Sequence, residues 1–264
     1  MIIEYEHFKE HLNAKLFENS YSKLLEKLTD NPDRYIGLFR PTKPKTKLIQ
    51  NITQSHEIRF GDALELLFEK YFEALGLTIL PKKIISENRK EYNIDQLFEK
   101  DEKIYLIEQK VRDDHDSTKK AGQFNNFESK YHEVSQKYPN KTIIPIMWFI
   151  DKSLRKNRNF YLQEIEKMRD DYACDAFLFY GEELFKEKEG IQDFDIKIWE
   201  EVLQHLTQWK ESLPDMPEIN FDLNATKVFQ EIKDLSPSVF RKLLNNEEIV
   251  KQIFPIIFLS LIHI

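Results

Sequence analysis

The sequence predicts an α/β fold: a helix–strand–strand–strand–helix–strand core whose mixed central sheet is flanked by helices, followed by a helical C-terminal region. Three observations carry this. Residues 142–150 (TIIPIMWFI) form a nearly continuous apolar run, the pattern of a strand covered on both faces. Residues 92–99 (YNIDQLFE) and 103–111 (KIYLIEQKV) are two strand-like segments separated by Lys100-Asp101-Glu102, a length suited to a hairpin. On either side of this group lie amphipathic helical patterns, and hairpin strands grouped between flanking helices argue for a mixed α/β sheet.

Taken in order, residues 1–30 repeat apolar side chains at helical spacing (Phe8, Leu12, Leu16, Tyr21, Leu24, Leu28), and Asn31-Pro32-Asp33 stops the pattern. Residues 38–57 are rich in Pro, Lys, Thr and Asn and read as a basic loop. From Ile58 a helix carries Phe60, Ala63, Leu64, Leu67, Phe68, Tyr71, Phe72 and Leu75, with Gly76 placed to cap it. Residues 77–85 (LTILPKKII) predict an edge-type strand bent at Pro81. After the two hairpin strands and a polar stretch, a helix is expected over about 118–137, its stripe being Phe124, Phe127, Tyr131 and Val134. Residues 175–180 (DAFLFY) read as another buried strand. Beyond 182 the pattern is helical, with breaks near 214–217 and at Ser236-Pro237. These elements suggest an N-terminal helical segment and basic loop (1–57), a core (58–185) and a helical C-terminal region (186–264).

Composition bounds the function. With 41% hydrophobic and 32% charged residues the chain has the balance of a water-soluble globular protein. The start, MIIEYEHFKEH, is too polar for a secretory signal, and no long apolar stretch suggests a membrane span; a cytoplasmic location is expected. A single cysteine, Cys174, excludes a disulfide framework and a cysteine-rich zinc site. His7 and His11 stand four apart, a spacing that fits a helix face with no third ligand nearby. There is no P-loop and no G-x-S-x-G. The net charge of −7 argues against a protein that coats nucleic acid through its overall charge, and leaves local basic patches as the means of contacting phosphate. Such patches are residues 40–47 (RPTKPKTK), Lys119 with Lys120, and residues 155–158 (RKNR).

One constellation carries chemistry. Residues two apart on a strand share a face, so Glu108 and Lys110 project together while Gln109 points away. The hairpin brings Asp95 alongside, giving two carboxylates and an ammonium in one small volume. Carboxylate oxygens are hard ligands of the kind Mg²⁺ takes, together with waters and substrate phosphate. A bound Mg²⁺ lowers the pKa of its water and polarises phosphoryl oxygen, and a lysine can hold that water and stabilise developing charge. Phosphodiester hydrolysis needs these parts.

The order αβββαβ with D-(x12)-E-x-K on its second and third strands resembles the core of the PD-(D/E)xK nucleases, over about residues 58–150. Asp95 matches the acidic residue of the motif, and Glu108 and Lys110 its E-x-K; Ile94 stands where a proline is usual. The resemblance implies that Asp95 and Glu108 are metal ligands for Mg²⁺ and that Lys110 is catalytic. It also implies that Glu65, on the preceding helix, is an additional acidic ligand, with Asp62 and Glu69 as rivals, and that Gln123, on the following helix, lies near the scissile phosphate. The polar stretch 111–123 (VRDDHDSTKKAGQ) after the E-x-K strand is similar to type II restriction enzymes, with Arg112, Lys119 and Lys120 as DNA contacts and His115 as a proton carrier. That resemblance implies cleavage of double-stranded DNA at a short specific site, 5′-phosphate and 3′-hydroxyl ends, a homodimer on a palindromic target, and a cognate DNA methyltransferase as functional partner. Rival readings are a repair or junction-resolving nuclease with the same core, and a DNA-binding protein without catalysis. The terminal LSLIHI (259–264) resembles the in-frame translation of a transposon end used in preparing sequencing libraries, so the natural chain is expected to continue past about Phe258.

Overall fold

A computed structural model of the chain describes residues 1–111, 117–186, 190–213 and 221–257. The expected break near 214–217 and the tail 259–264 lie outside the described residues. The chain forms two compact units, Met1–Phe8 with Leu64–Thr207, and Lys9–Ala63 with Gln208–Ile264. Three helices contribute residues to both: α1 (Tyr5–Phe17), α4 (Pro44–Ala74) and α7 (Ile196–Ser212).

The first unit holds a five-stranded sheet in the order β1 (Thr78–Ile79), β4 (Gln96–Lys100), β5 (Lys103–Lys110), β6 (Thr142–Phe149), β7 (Phe177–Tyr180). The pairs β1 with β4 and β4 with β5 are antiparallel, and β5 with β6 and β6 with β7 are parallel, so the sheet is mixed as expected. The β4–β5 hairpin turns at Asp101, which adopts φ 54°, a left-handed conformation that Asp tolerates better than most residues. Parallel neighbours need crossovers, and α5 (Ser117–Lys137) and α6 (Arg158–Tyr172) supply them. Helix α6 was not expected from the sequence.

Alternate residues of β6 face opposite layers. Met147 and Phe149 join Phe124, Phe127, Tyr131 and Val134 of α5 and Tyr161, Ile165 and Met168 of α6 in one buried cluster. Trp148 faces the other way, its ring 4.7 Å from Phe68 of α4 and 6.1 Å from Trp199 of α7. The expected stripe of α5 is therefore the face it buries, and the continuous apolar run of β6 is explained by two covered faces.

Four expectations need correction. The strand at 77–85 is divided at Pro81, which has no N–H for a ladder. Its first part is β1, and its second is β2 (Lys83–Ile85), paired with β3 (Glu91–Asn93) in a separate two-stranded sheet. The segment 92–99 is likewise divided, and Asp95 lies in the bend between β3 and β4 rather than within a strand. Helix 1–30 is interrupted at Asn19 (φ 54°), so that α1 ends at Phe17 and α2 spans Ser20–Asp30. The basic loop 38–57 is helical from Pro44 onward, because Pro is well placed at a helix start and Leu48 and Ile52 are buried one turn apart.

The second unit is helical. Tyr21, Leu24, Leu25 and Leu28 of α2, Tyr35 of α3 (Asp33–Ile36) and Leu48 and Ile52 of α4 share a core with α8 (Phe221–Lys233), α9 (Pro237–Asn245), α10 (Glu247–Gln252) and α11 (Phe254–Ile257). Ser236 caps α9 by accepting from Val239 N at 3.3 Å, with Pro237 in the first turn, so the break expected there is present.

Candidate active site

The last ladder pair joining β4 to β5 is Gln96 with Ile107. Just beyond it the Asp95 carboxylate takes over, accepting from the Gln109 backbone N–H at 2.8 Å. This bond ties Asp95 beside the end of β5, where Glu108 and Lys110 sit. Lys110 Nζ lies 2.5 Å from Glu108 Oε1 and 4.0 Å from Asp95 Oδ2. The structure thus brings Asp95, Glu108 and Lys110 together.

A fourth member is Lys130 of α5, which sequence reasoning missed. It is 4% exposed, with Nζ 2.6 Å from Glu108 Oε2 and 3.7 Å from Asp95 Oδ1. Two carboxylates and two ammoniums balance in charge, the condition under which ions tolerate burial. The signal was present in the sequence: Lys130 falls within the arc of the apolar stripe, three residues after Phe127 and four before Val134, where a solvated lysine has no place.

The two faces of the sheet divide the remaining candidates. Glu108 and Lys110 share the α5 side with Lys130. Gln109 points away from them, toward α4, where its Oε1 lies 3.4 Å from Gln96 Nε2, and Gln96 also donates to the Glu65 backbone carbonyl at 2.5 Å. Glu65 therefore comes from the α4 side. Its carboxylate is 2.5 Å from Lys82 Nζ, which also bonds Glu69 at 2.8 Å. Among the described residues no three His, Cys, Asp or Glu side chains are grouped closely enough to hold a metal ion among themselves. Gln123 lies on α5 one heptad before Lys130, and its Oε1 accepts from Tyr161 OH at 3.0 Å. Lys119 is exposed in the first turn of α5, and Lys120 Nζ lies 3.5 Å from Asn157 Oδ1 and 4.7 Å from the centre of the Phe160 ring. Arg112 and His115 lie outside the described residues. In the 155–158 patch, Arg155 is bonded to Glu183 at 2.7 Å.

Electrostatics set the two carboxylates apart. Burial, then the charge of Glu108, pushes the Asp95 carboxyl up to about 6 against the pull of Lys110 and Lys130. Burial pushes Glu108 up too, but Lys110 and Lys130 together outweigh it and hold it below the usual carboxylate range. The donor set fits a small divalent cation: two hard carboxylates within reach of one cationic centre, with the repulsion that raises Asp95 relieved by positive charge.

A mixed sheet carrying D…E-x-K at the meeting of a bend and a strand, between helices, defines a nuclease of the PD-(D/E)xK kind. Comparison with protein families agrees: the model described as type II restriction endonuclease, HinfI, matches residues 4–86 and 78–210, and the chain belongs to that family. No curated protein and no solved structure matches it. Among the described residues no helix is long and apolar enough to cross a membrane.

Proposed function

We propose that the chain is a Mg²⁺-dependent deoxyribonuclease that hydrolyses double-stranded DNA at a short specific site. The observation that carries this reading is the joining of Asp95, Glu108 and Lys110 in a chain of the type II restriction endonuclease family. Asp95 and Glu108 would hold Mg²⁺, which when bound polarises the phosphoryl oxygen and acidifies water. The side chains of this protein then have separate tasks. Lys110, the more exposed of the two ammoniums (side chain 20% against 5%), orients the attacking water and stabilises charge at phosphorus. Lys130, buried behind it, fixes Glu108 by its second oxygen. Glu65, engaged by Lys82, acts through its charge, which Asp95 feels. Gln123, held by Tyr161, lies on the same helix face as Lys130 and is assigned to the scissile phosphate; Lys119, Lys120 and Arg112 are assigned to flanking phosphates.

The rest of the reading follows from site-specific cleavage. A palindromic site calls for a two-fold homodimer, and the host must protect its own DNA with a methyltransferase of matching specificity, both enzymes working in the cytoplasm.

The test is purified protein on unmethylated phage DNA, with Mg²⁺ or with EDTA, beside Lys110→Ala. Discrete fragments that require Mg²⁺ and are at least about a hundredfold slower to form with the variant are expected. Equal cleavage by wild type and variant, or cleavage unaffected by EDTA, overturns the assignment; a smear overturns site specificity alone.

A further inference from the structure

We infer that the loop formed by residues 37–43 is a DNA-contacting element, in which Leu38 and Phe39 enter a groove of the duplex while the cations around them hold its phosphates. Leu38 is 91% and Phe39 97% exposed, more than any other large apolar residue described. Their neighbours are tightly held: Tyr35 is fully buried and Leu48 is fully buried, so the pair projects from a fixed base. Leaving a Phe and a Leu in water forgoes the hydrophobic gain of burying them, and a bound partner can recover this.

The charge around the pair identifies the partner. The chain has 46 acidic residues in 264 and a net charge of −7, yet residues 34–56 contain none, while carrying Arg34, Arg40, Lys43, Lys45 and Lys47. Arg40, Lys43 and Lys45 are exposed. Arg40 Nε is anchored to the Asp33 carbonyl at 3.4 Å, which holds its base beside Phe39. An apolar tip followed in sequence by exposed cations suits a polyanion with an apolar interior. Duplex DNA is such a partner: phosphates outside, and base steps that Phe and Leu side chains wedge into from a groove. A second copy of the chain is disfavoured, because a two-fold contact through the loop would set this acid-free, cationic stretch against itself.

This inference rests on DNA being the substrate, but not on the catalytic assignments. The test therefore reads binding in EDTA, where no cleavage occurs, using a fluorescently labelled mixed-sequence duplex and the full chain. Phe39 is exposed, so its replacement leaves the fold intact. Phe39→Ala is expected to weaken binding by about tenfold with an unchanged salt slope. Lys43→Glu with Lys45→Glu is expected to lower the slope of log affinity against log salt by about one per cation removed. Phe39→Trp adds a reporter, since Trp148, Trp199 and Trp209 are all buried; its emission is expected to be quenched by saturating unlabelled duplex. Unchanged affinity in Phe39→Ala, or unchanged emission of the Phe39→Trp variant at saturation, overturns the inference. Emission that changes with protein concentration in the absence of DNA makes a second copy the occupant and overturns it too. If wild type binds no duplex, the DNA reading itself fails; if wild type binds and only the loop variants behave as wild type, this inference alone fails.

Discussion

The buried ammonium of Lys130 separates two things that nuclease variants usually confound, charge balance and chemistry. Glu108 is bonded by Lys110 on one oxygen and Lys130 on the other. Replacing Lys130 by Met removes one of two partners from a carboxylate that is 4% exposed, a change that costs about 3 kcal/mol for a buried pair. Adding Glu108→Gln removes the stranded charge as well. The double variant Glu108→Gln/Lys130→Met is therefore expected to regain most of the lost stability in urea unfolding, while cleavage stays at least about a hundredfold below wild type because a carboxylate donor is gone. Lys130→Arg, which keeps the charge but not the compact shape, is expected to fall between. If Lys130→Met unfolds at the wild-type urea concentration, the ammonium is not a structural partner of Glu108 and the assignment fails. Much of this site was legible in the residues: Asp95, Glu108 and Lys110 meet as their spacing required. Lys130 was not read, because it comes from the helix packed on that face of the sheet, and strand spacing is blind to a residue on another element. Glu65 was legible as a nearby acid, but its pairing with Lys82 joins a helix to the segment beyond the bend at Pro81, and no local spacing reports a contact between the two.

At the scale of elements, the parts that sequence periodicity captured are those buried on one stripe or on both faces. Helix α5, the lower half of α4 and strand β6 are of this kind, since burial imposes the pattern directly. What it missed are junctions settled by single side chains from elsewhere. The interruption at Asn19 is one. Arg59, buried on α4, donates through one guanidinium nitrogen to the carbonyls of Leu16 at 2.8 Å and Glu18 at 3.0 Å, taking up acceptors that the end of α1 leaves without helical partners. The same nitrogen reaches Ser20 Oγ at 3.0 Å, at the start of α2. One arginine thus ends one helix and begins the next, and a helix drawn straight through residues 1–30 could not anticipate it. Arg59→Met keeps the aliphatic stem and removes the donors. It is expected to lower stability by about 2–4 kcal/mol, as charged hydrogen bonds to buried acceptors do, measured by urea unfolding. Arg59→Lys is expected to recover only part, since an ammonium cannot spread over the same carbonyls. A Met variant as stable as wild type would mean that water satisfies those carbonyls equally well.

At the scale of the whole molecule, charge is unevenly distributed: an acidic chain contains an acid-free basic stretch over residues 34–56. That stretch ends at His56, whose setting makes the stability of the protein depend on pH. His56 Nε2 lies 3.5 Å from Ser20 Oγ, and its ring meets Phe17 edge-on at 5.2 Å. Burial, followed by the positive charges of Arg59 and Lys227, holds its pKa down to about 4, against an ordinary value of 6.5. The folded chain therefore resists a proton that the unfolded chain accepts. Between pH 6.5 and 4 the unfolded state binds more protons at this site, so stability rises with pH across that window and is lost as pH falls through it. Above pH 6.5 both states are neutral here, and below pH 4 both are charged, so the contribution is flat outside the window. Allowing for the partial exposure of the ring, the loss between about pH 7.5 and about pH 5 is expected to be about 1–2 kcal/mol. Other groups titrate over the same range, so the quantity to compare is a difference: wild type and His56→Gln are unfolded in urea at both pH values. The variant is expected to be less sensitive to acid by that amount. An equal loss in both proteins would show that His56 is free to take up its proton in the fold, and that the cations beside it do not reach it as the geometry requires.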